Sequence, residues 1–287
     1  RVLVALDVTP AVAAEAAELG ADLIVAHHPV MNVRWHEREM QPLRDDTRLG
    51  GLLTCLVRQD LSVICMHTNL DAAEGGVNDC LAQKLGLSGT IPLNEQKIGR
   101  IGTLSCEIPL EQFLHDVVKS LSCRGLRYRD GGRPVHRVAV GGGACGEYIP
   151  HALAQGCDTF VTSDLRYNDF LDTRGLNLID AGHFPTEDVV CPEVVHRLQK
   201  AFPDICVSKS AVHRDAVQYY MIEGAAATPP ITPAWPPWWP RPRPPICPMT
   251  TSSAPSTRRW APATPTTTSP SPTRATVPAA WPSSWRP

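Results

Sequence analysis

Short continuous apolar runs alternate along the chain with stretches whose apolar residues recur every three or four positions. Val2 to Leu6 is the first such run. Thr9-Pro10 then opens an alanine-rich stretch to Leu19 that Gly20 closes, which predicts strand, capped helix and stop. Ala21 to His28 predicts a second strand, and Leu49, Leu52, Leu53 and Leu56 give residues 46 to 59 helical spacing. Leu61 to His67 predicts strand, Gly76 to Leu85 helix, Arg100 to Ile108 strand and Leu110 to Leu121 helix. Strands follow near Gly125 to Arg129 and at Arg137 to Val140, then a helix through Tyr148 to Gln155. Strands at Thr159 to Thr162 and Leu176 to Asp180 and a helix from Pro185 to Phe202 complete the series. Repeated βα units predict an α/β fold: a mostly parallel or mixed sheet with helices on both faces. Ligands in such folds collect outside the C-terminal strand ends.

Three of those ends carry candidate metal chemistry. The run Leu23-Ile24-Val25-Ala26 ends in His27-His28-Pro29, Ser62 to Met66 ends in His67 with Asp71 four residues on, and Asn177 to Gly182 ends in His183 with Glu187 four residues on. Neutral imidazoles and carboxylates are transition-metal ligands. Four imidazoles and two carboxylates exceed what one tetrahedral zinc needs, so two divalent ions, Zn, Fe or Mn, are the economical reading. Glu187 can bridge, Asp71 can bind one ion, and His27 and His28 can be divided between the two. Adjacent strand residues point to opposite faces, so this requires a turn in the chain, which Pro29 favours. Pro185 suits the first turn of a helix, which would put His183 and Glu187 on one side of its entrance.

The chain of 287 residues changes character near Gly224. Residues 1–224 hold all 29 Asp and Glu and 21 of the 27 Lys and Arg, a net charge of −8, which argues against a nucleic-acid surface. From 225 to 287 there are 18 prolines and six of the seven tryptophans but no Lys, Asp or Glu. Such a segment cannot build a core and is expected to be disordered, its composition being what out-of-frame translation of a GC-rich message would give. The ten cysteines are scattered, without a C-x-x-C pair, as in a reduced cytoplasmic protein. No stretch of 18 apolar residues and no signal peptide occurs, so a soluble, cytoplasmic protein with no membrane partner is expected. Arg1, where an initiator methionine would stand, leads us to expect a chain that starts inside its natural sequence.

The segments AHHPV, HTNLDAAEGGVND, TSDLRYND and DAGHFPTE, in this order, resemble the NGG-interacting-factor-three-like family, whose bacterial members are often labelled GTP cyclohydrolase type-2 homologues. The resemblance spans residues 1 to about 222. It implies a dinuclear metal protein assembled as a toroidal homohexamer with its metals facing inward. Carried over residue by residue, it implies that His27, His28, Asp71, His183 and Glu187 are the ligands, with His67 lining the site. The chain departs from the family in several places. The usual segment before the first strand, with its Trp-Asp-Asn stretch, is missing. Asn168 stands where a histidine is common, and the distance from Asp71 to Gly141 leaves no room for the inserted domain that many relatives carry. The ending after the closing strand is replaced by the proline-rich segment, so metal binding is expected to survive more readily than the hexamer.

Two functions from different classes fit. One is a metal-dependent hydrolase acting on an unidentified small molecule, with His67 as general acid or base. The other is a non-enzymatic metal-binding or scaffold protein. Gly141-Gly142-Gly143-Ala144-Cys145-Gly146 reads either as an anion-binding loop or, preferably, as a tight strand-to-helix turn. Asp164 reads equally as a pocket residue or a helix cap. His36, His115, His136, His151, His196 and His213 lie outside the strand-end pattern and are expected at the surface or in structural roles.

Overall fold

A computed structural model describes residues 1–31, 44 and 46–220. His36 and the segment 225–287 lie outside the described residues. The first apolar run forms β1 (Val2–Ala5). Thr9 caps α1 (Pro10–Glu18), its hydroxyl accepting from the Val12 amide at 3.2 Å, with Pro10 in the first turn where no amide is needed. Then come β2 (Leu23–Ala26), α2 (Arg48–Arg58), β3 (Ser62–Cys65), α3 (Thr68–Ala72) and α4 (Val77–Lys84). They are followed by β4 (Ser88–Pro92), β5 (Arg100–Ile108), α5 (Leu110–Leu121), β6 (Arg127–Arg129), β7 (Val135–Val140) and α6 (Ile149–Ala154). The series closes with β8 (Thr159–Thr162), α7 (Tyr167–Asp172), β9 (Asn177–Asp180), α8 (His183–Glu187), α9 (Cys191–Ala201) and β10 (Val207–Lys209).

These strands make two sheets. The first, β10-β1-β2-β3, is wholly parallel. The second, β4-β5-β7-β8-β9-β6, has a parallel centre, β7-β8-β9, with antiparallel strands on both sides. Only seven residues join β4 to β5, too few for the crossover that parallel pairing requires.

Strand alternation sorts the core. Leu3, Ala5, Ile24 and Ala26 pack against Val12, Ala16, Leu52 and Leu56 of α1 and α2, while Val2, Val4 and Val25 face Val77, Cys80 and Val194 of α4 and α9. On the second sheet, Val138, Val140, Val161 and Ile179 meet Leu81 and Leu85 of α4 and Phe113 and Val117 of α5. Ile101, Ala139, Phe160 and Leu178 cover the other side with Ile149 and Ala152 of α6. Helix α4 is therefore shared, its Val77 and Cys80 on one sheet and its Leu81 and Leu85 on the other. Registers then set the site. Ala26 pairs with Cys65 and Thr162 with Asp180, so the residues that follow each strand emerge side by side.

Candidate metal centre

The end of β2 solves the problem of two adjacent histidines. The Leu6 carbonyl accepts from both the His27 amide, at 3.2 Å, and the His28 amide, at 2.9 Å, a bulge-like irregularity that swings both side chains to one side. Their rings lie 4.9 Å apart and tilted by 56°. His67, two residues beyond β3, stacks on His27 at 4.9 Å and 16°. His183 opens α8, which begins two residues earlier than predicted because Gly182, at φ +88°, lets the chain turn directly into it. Glu187 ends that short helix and is 3% exposed.

Glu187 is the common member of two donor sets. Its Oε1 lies 3.6 Å from Nε2 of His27, which is also 3.6 Å from Asp71 Oδ1. Its Oε2 lies 3.0 Å from His28 Nε2 and 3.1 Å from His183 Nε2. The donor atoms of His27, Asp71 and Glu187, and those of His28, His183 and Glu187, lie within 4.8 Å of one another in each set, as do those of His27, His28 and His67. All six sequence-predicted residues are thus brought together.

Each imidazole is held through its other nitrogen. His27 Nδ1 donates to the Met66 carbonyl at 2.8 Å, His28 Nδ1 to Asp7 at 2.7 Å and His183 Nδ1 to Asp164 at 2.5 Å, while His67 Nδ1 lies 3.0 Å from the Thr68 hydroxyl. The Nε2 atoms point inward, and once free of protons they offer their lone pairs in the arrangement that orients metal-binding histidines. His27 Nε2 and Asp71 Oδ1 are buried without a hydrogen-bond partner. A buried polar atom without a partner is costly, and a cation between these two would satisfy both. The donor set therefore could hold metal ions, its donors being mixed imidazole and carboxylate.

The charges agree. Burial would raise the Glu187 carboxyl, but the imidazoles of His183, His27 and His28 hold it well below the usual carboxylate range. Burial would lower His28, yet Asp7 and Glu187 on its two nitrogens raise it to about 10; Glu187 first, and then Asp164, raises His183 to about 9 against the opposing effect of burial. Burial pushes Asp71 up to about 6. His67 is moved below its ordinary value by burial and by the neighbouring His27 and His28.

Two contacts escaped the sequence reading. Asp7, just past β1, tethers His28, and its position at another strand end was the available signal. His213 is buried, as a structural histidine should be, but it contacts Asp7 rather than the core alone. The glycine loop is a strand-to-helix turn, as preferred, because its amides are taken: Gly142 donates to Asn78 at 2.9 Å, Gly143 to Thr186 at 3.1 Å and Cys145 to Thr162 at 3.1 Å. It also walls the site. A Cβ on Gly143, at φ +65°, would stand 2.1 Å from Glu187 Oε1 and 3.1 Å from His183 Nε2. Asp164, at φ +54°, resolves as a pocket residue, since the α7 entrance is instead closed by the Arg166 amide donating to Asp169 at 2.7 Å.

Two layered α/β sheets meeting at a carboxylate-centred cluster of imidazoles define a candidate metal-binding protein. Residues 1–216 match the Duf34/NIF3 (NGG1p interacting factor 3) family, and the chain belongs to it. It is 31% identical over 223 residues, 74% of this chain and 83% of the other, to the "GTP cyclohydrolase 1 type 2 homolog" of Clostridium perfringens. A Staphylococcus aureus hypothetical protein of known structure superposes with a TM-score of 0.69 at 27% identity, covering 76% of this chain and 87% of that one. A Bacillus cereus protein related to NIF3 shares the fold, with a TM-score of 0.70 at 24% identity over 76% and 89% of the two chains. None of the described helices is long and apolar enough to cross a membrane.

Proposed function

We propose that the chain binds two divalent metal ions, one held by His27, Asp71 and Glu187 and the other by His28, His183 and Glu187, and that it is a metal-dependent hydrolase. The division of the two Glu187 oxygens between separate donor sets carries this reading. Bound ions would supply Lewis acidity toward a substrate oxygen and make water more acidic. The chain's own residues do the rest. Asp7, Asp164 and the Met66 carbonyl fix the ring orientations of His28, His183 and His27, and the bare backbone of Gly143 leaves the room that the Glu187 carboxylate occupies. His67 is the exposed imidazole of the cluster, and a neutral ring with Nδ1 against Thr68 leaves Nε2 free to take a proton from, or return one to, a reacting group.

The name carried by the relatives makes hydrolytic opening of a purine ring the first chemistry to test, and the family resemblance makes a homohexamer the first assembly to look for. The test is metal analysis of protein purified without added metal, followed by an activity screen against nucleotides, phosphoesters and cyclic amides with that metal restored. Two equivalents of metal with turnover that His67→Ala lowers tenfold or more would support the reading. Two equivalents with no turnover would favour the non-enzymatic alternative, and no bound metal would refute both.

A further inference from the structure

The segment from β10 to His213 makes contacts that the fold alone does not require. Ser210 donates its amide to Val4 at 2.8 Å, which carries the chain over the C-terminal end of β1. Its hydroxyl and the Ala211 amide are both held by Glu15, and the Ser210 hydroxyl accepts from the His213 amide at 3.1 Å. The His213 side chain is only 1% exposed, with Nε2 3.2 Å from Asp7 Oδ2 and Nδ1 3.5 Å from the Leu6 amide. Nε2 also lies 3.3 Å from the Asp7 amide and Nδ1 3.7 Å from Asp188 Oδ1. The tautomer with Nε2–H donating to the Asp7 carboxylate leaves Nδ1 to accept from the Leu6 amide and satisfies the charged partner, at the expense of the longer contact with the Asp7 amide. The other carboxylate oxygen of Asp7 is the one that accepts from His28. The His213 ring also lies 4.7 Å from that of Phe184, the neighbour of His183, and Lys209 pairs at 2.5 Å with Asp188, the neighbour of Glu187. These three attachments reach His28, His183 and Glu187. His27 is tied instead to Met66, and the Asp71 carbonyl to Asn78.

We propose that residues 207–213 form a positioning clasp in which His213, acting through Asp7, fixes the ring of His28 and so tunes the position that His28 serves. The inference rests on the two-position reading above. Partners that orient a ligating histidine are worth roughly ten- to hundredfold in metal affinity. The test is zinc titration of the metal-stripped full chain against a chelating dye, in the wild type, His213→Ala and His213→Gln. A glutamine amide can donate to Asp7 while its oxygen accepts from Leu6, so it replaces both contacts. The expected result is two uptake steps in the wild type, one of them weakened about tenfold in His213→Ala and largely restored in His213→Gln, with the other step unchanged. Weakening of both steps alike, or failure of glutamine to restore the loss, would show a merely structural residue and overturn the proposal, as would an unchanged His213→Ala. A wild type that takes up no zinc would instead overturn the metal reading itself, and this inference with it.

Discussion

At the residue scale the site depends on one carboxylate. Glu187→Gln should lower metal uptake at both positions, because each loses its share of a charged group, whereas Asp71→Asn should affect mainly the position of His27; elemental analysis of the two variants distinguishes these outcomes. Protons stand where the proposed metal would be held. His28 and His183 are raised to about 10 and about 9, so the ion pairs they make with Glu187 contribute stability that is full below the ordinary histidine value near 6.5 and is lost as pH rises through 9 to 10. The melting temperature of the metal-free protein should therefore fall between pH 7 and pH 10, and zinc affinity should rise over the first part of that range as the competing protons leave. A melting temperature that climbs with pH would contradict the assignment. The five candidate ligands were legible in the sequence because each sits at, or one helical turn beyond, the end of an apolar run. His213 was not, because it follows the last strand with no pattern around it, and its partner Asp7 lies 206 residues away.

At the element scale, legibility followed length. Strand β5, helix α5 and strand β8 occupy the predicted residues, since 9- and 12-residue patterns carry a clear period and Thr159 to Thr162 is an unbroken buried run. Helices α3 and α7 have five and six residues with no buried face, and β4 is exposed throughout and contains Gly89 and Pro92, so none gave a period to read. The predicted helix from Pro185 is instead α8, a turn of 3-10 helix and α9, a break that leaves Glu187 at a helix end, aimed into the site. Periodicity also says nothing of which strands pair, so one expected sheet became two. The glycine turn between β7 and α6 is the element that can be tested without touching a donor atom. Gly143→Ala places a methyl group against Glu187 and forces an alanine to φ +65°, a strain of about 1–2 kcal/mol before the clash is counted. Metal content should drop at both positions while far-ultraviolet circular dichroism stays that of the wild type; normal metal content in the variant would show that the loop gives way easily.

At the scale of the whole molecule, the donors of the proposed centre and the residues that orient them lie between Asp7 and His213, and the four buried clusters among the described residues run from Val2 to Val207. Beyond Gly224 the chain has no histidine, aspartate or glutamate, and Cys247 is its one conventional metal donor. Truncation after Gly224 should accordingly leave metal content and melting temperature unchanged. What the segment adds in sequence is aromatic residues without charge balance: Trp235, Trp238 and Trp239 stand among prolines, and its six arginines have no acid within the segment. Aromatic residues without a core of their own promote nonspecific association, and if the chain forms the ring that the family resemblance implies, every interface would have to repeat the same geometry around the addition. Light scattering should therefore find the full chain heterogeneous in size and the chain ending at Gly224 more uniform, with both binding metal alike. A clean, homogeneous hexamer of the full chain would show that residues 225–287 lie clear of every interface and that their composition has no consequence for assembly.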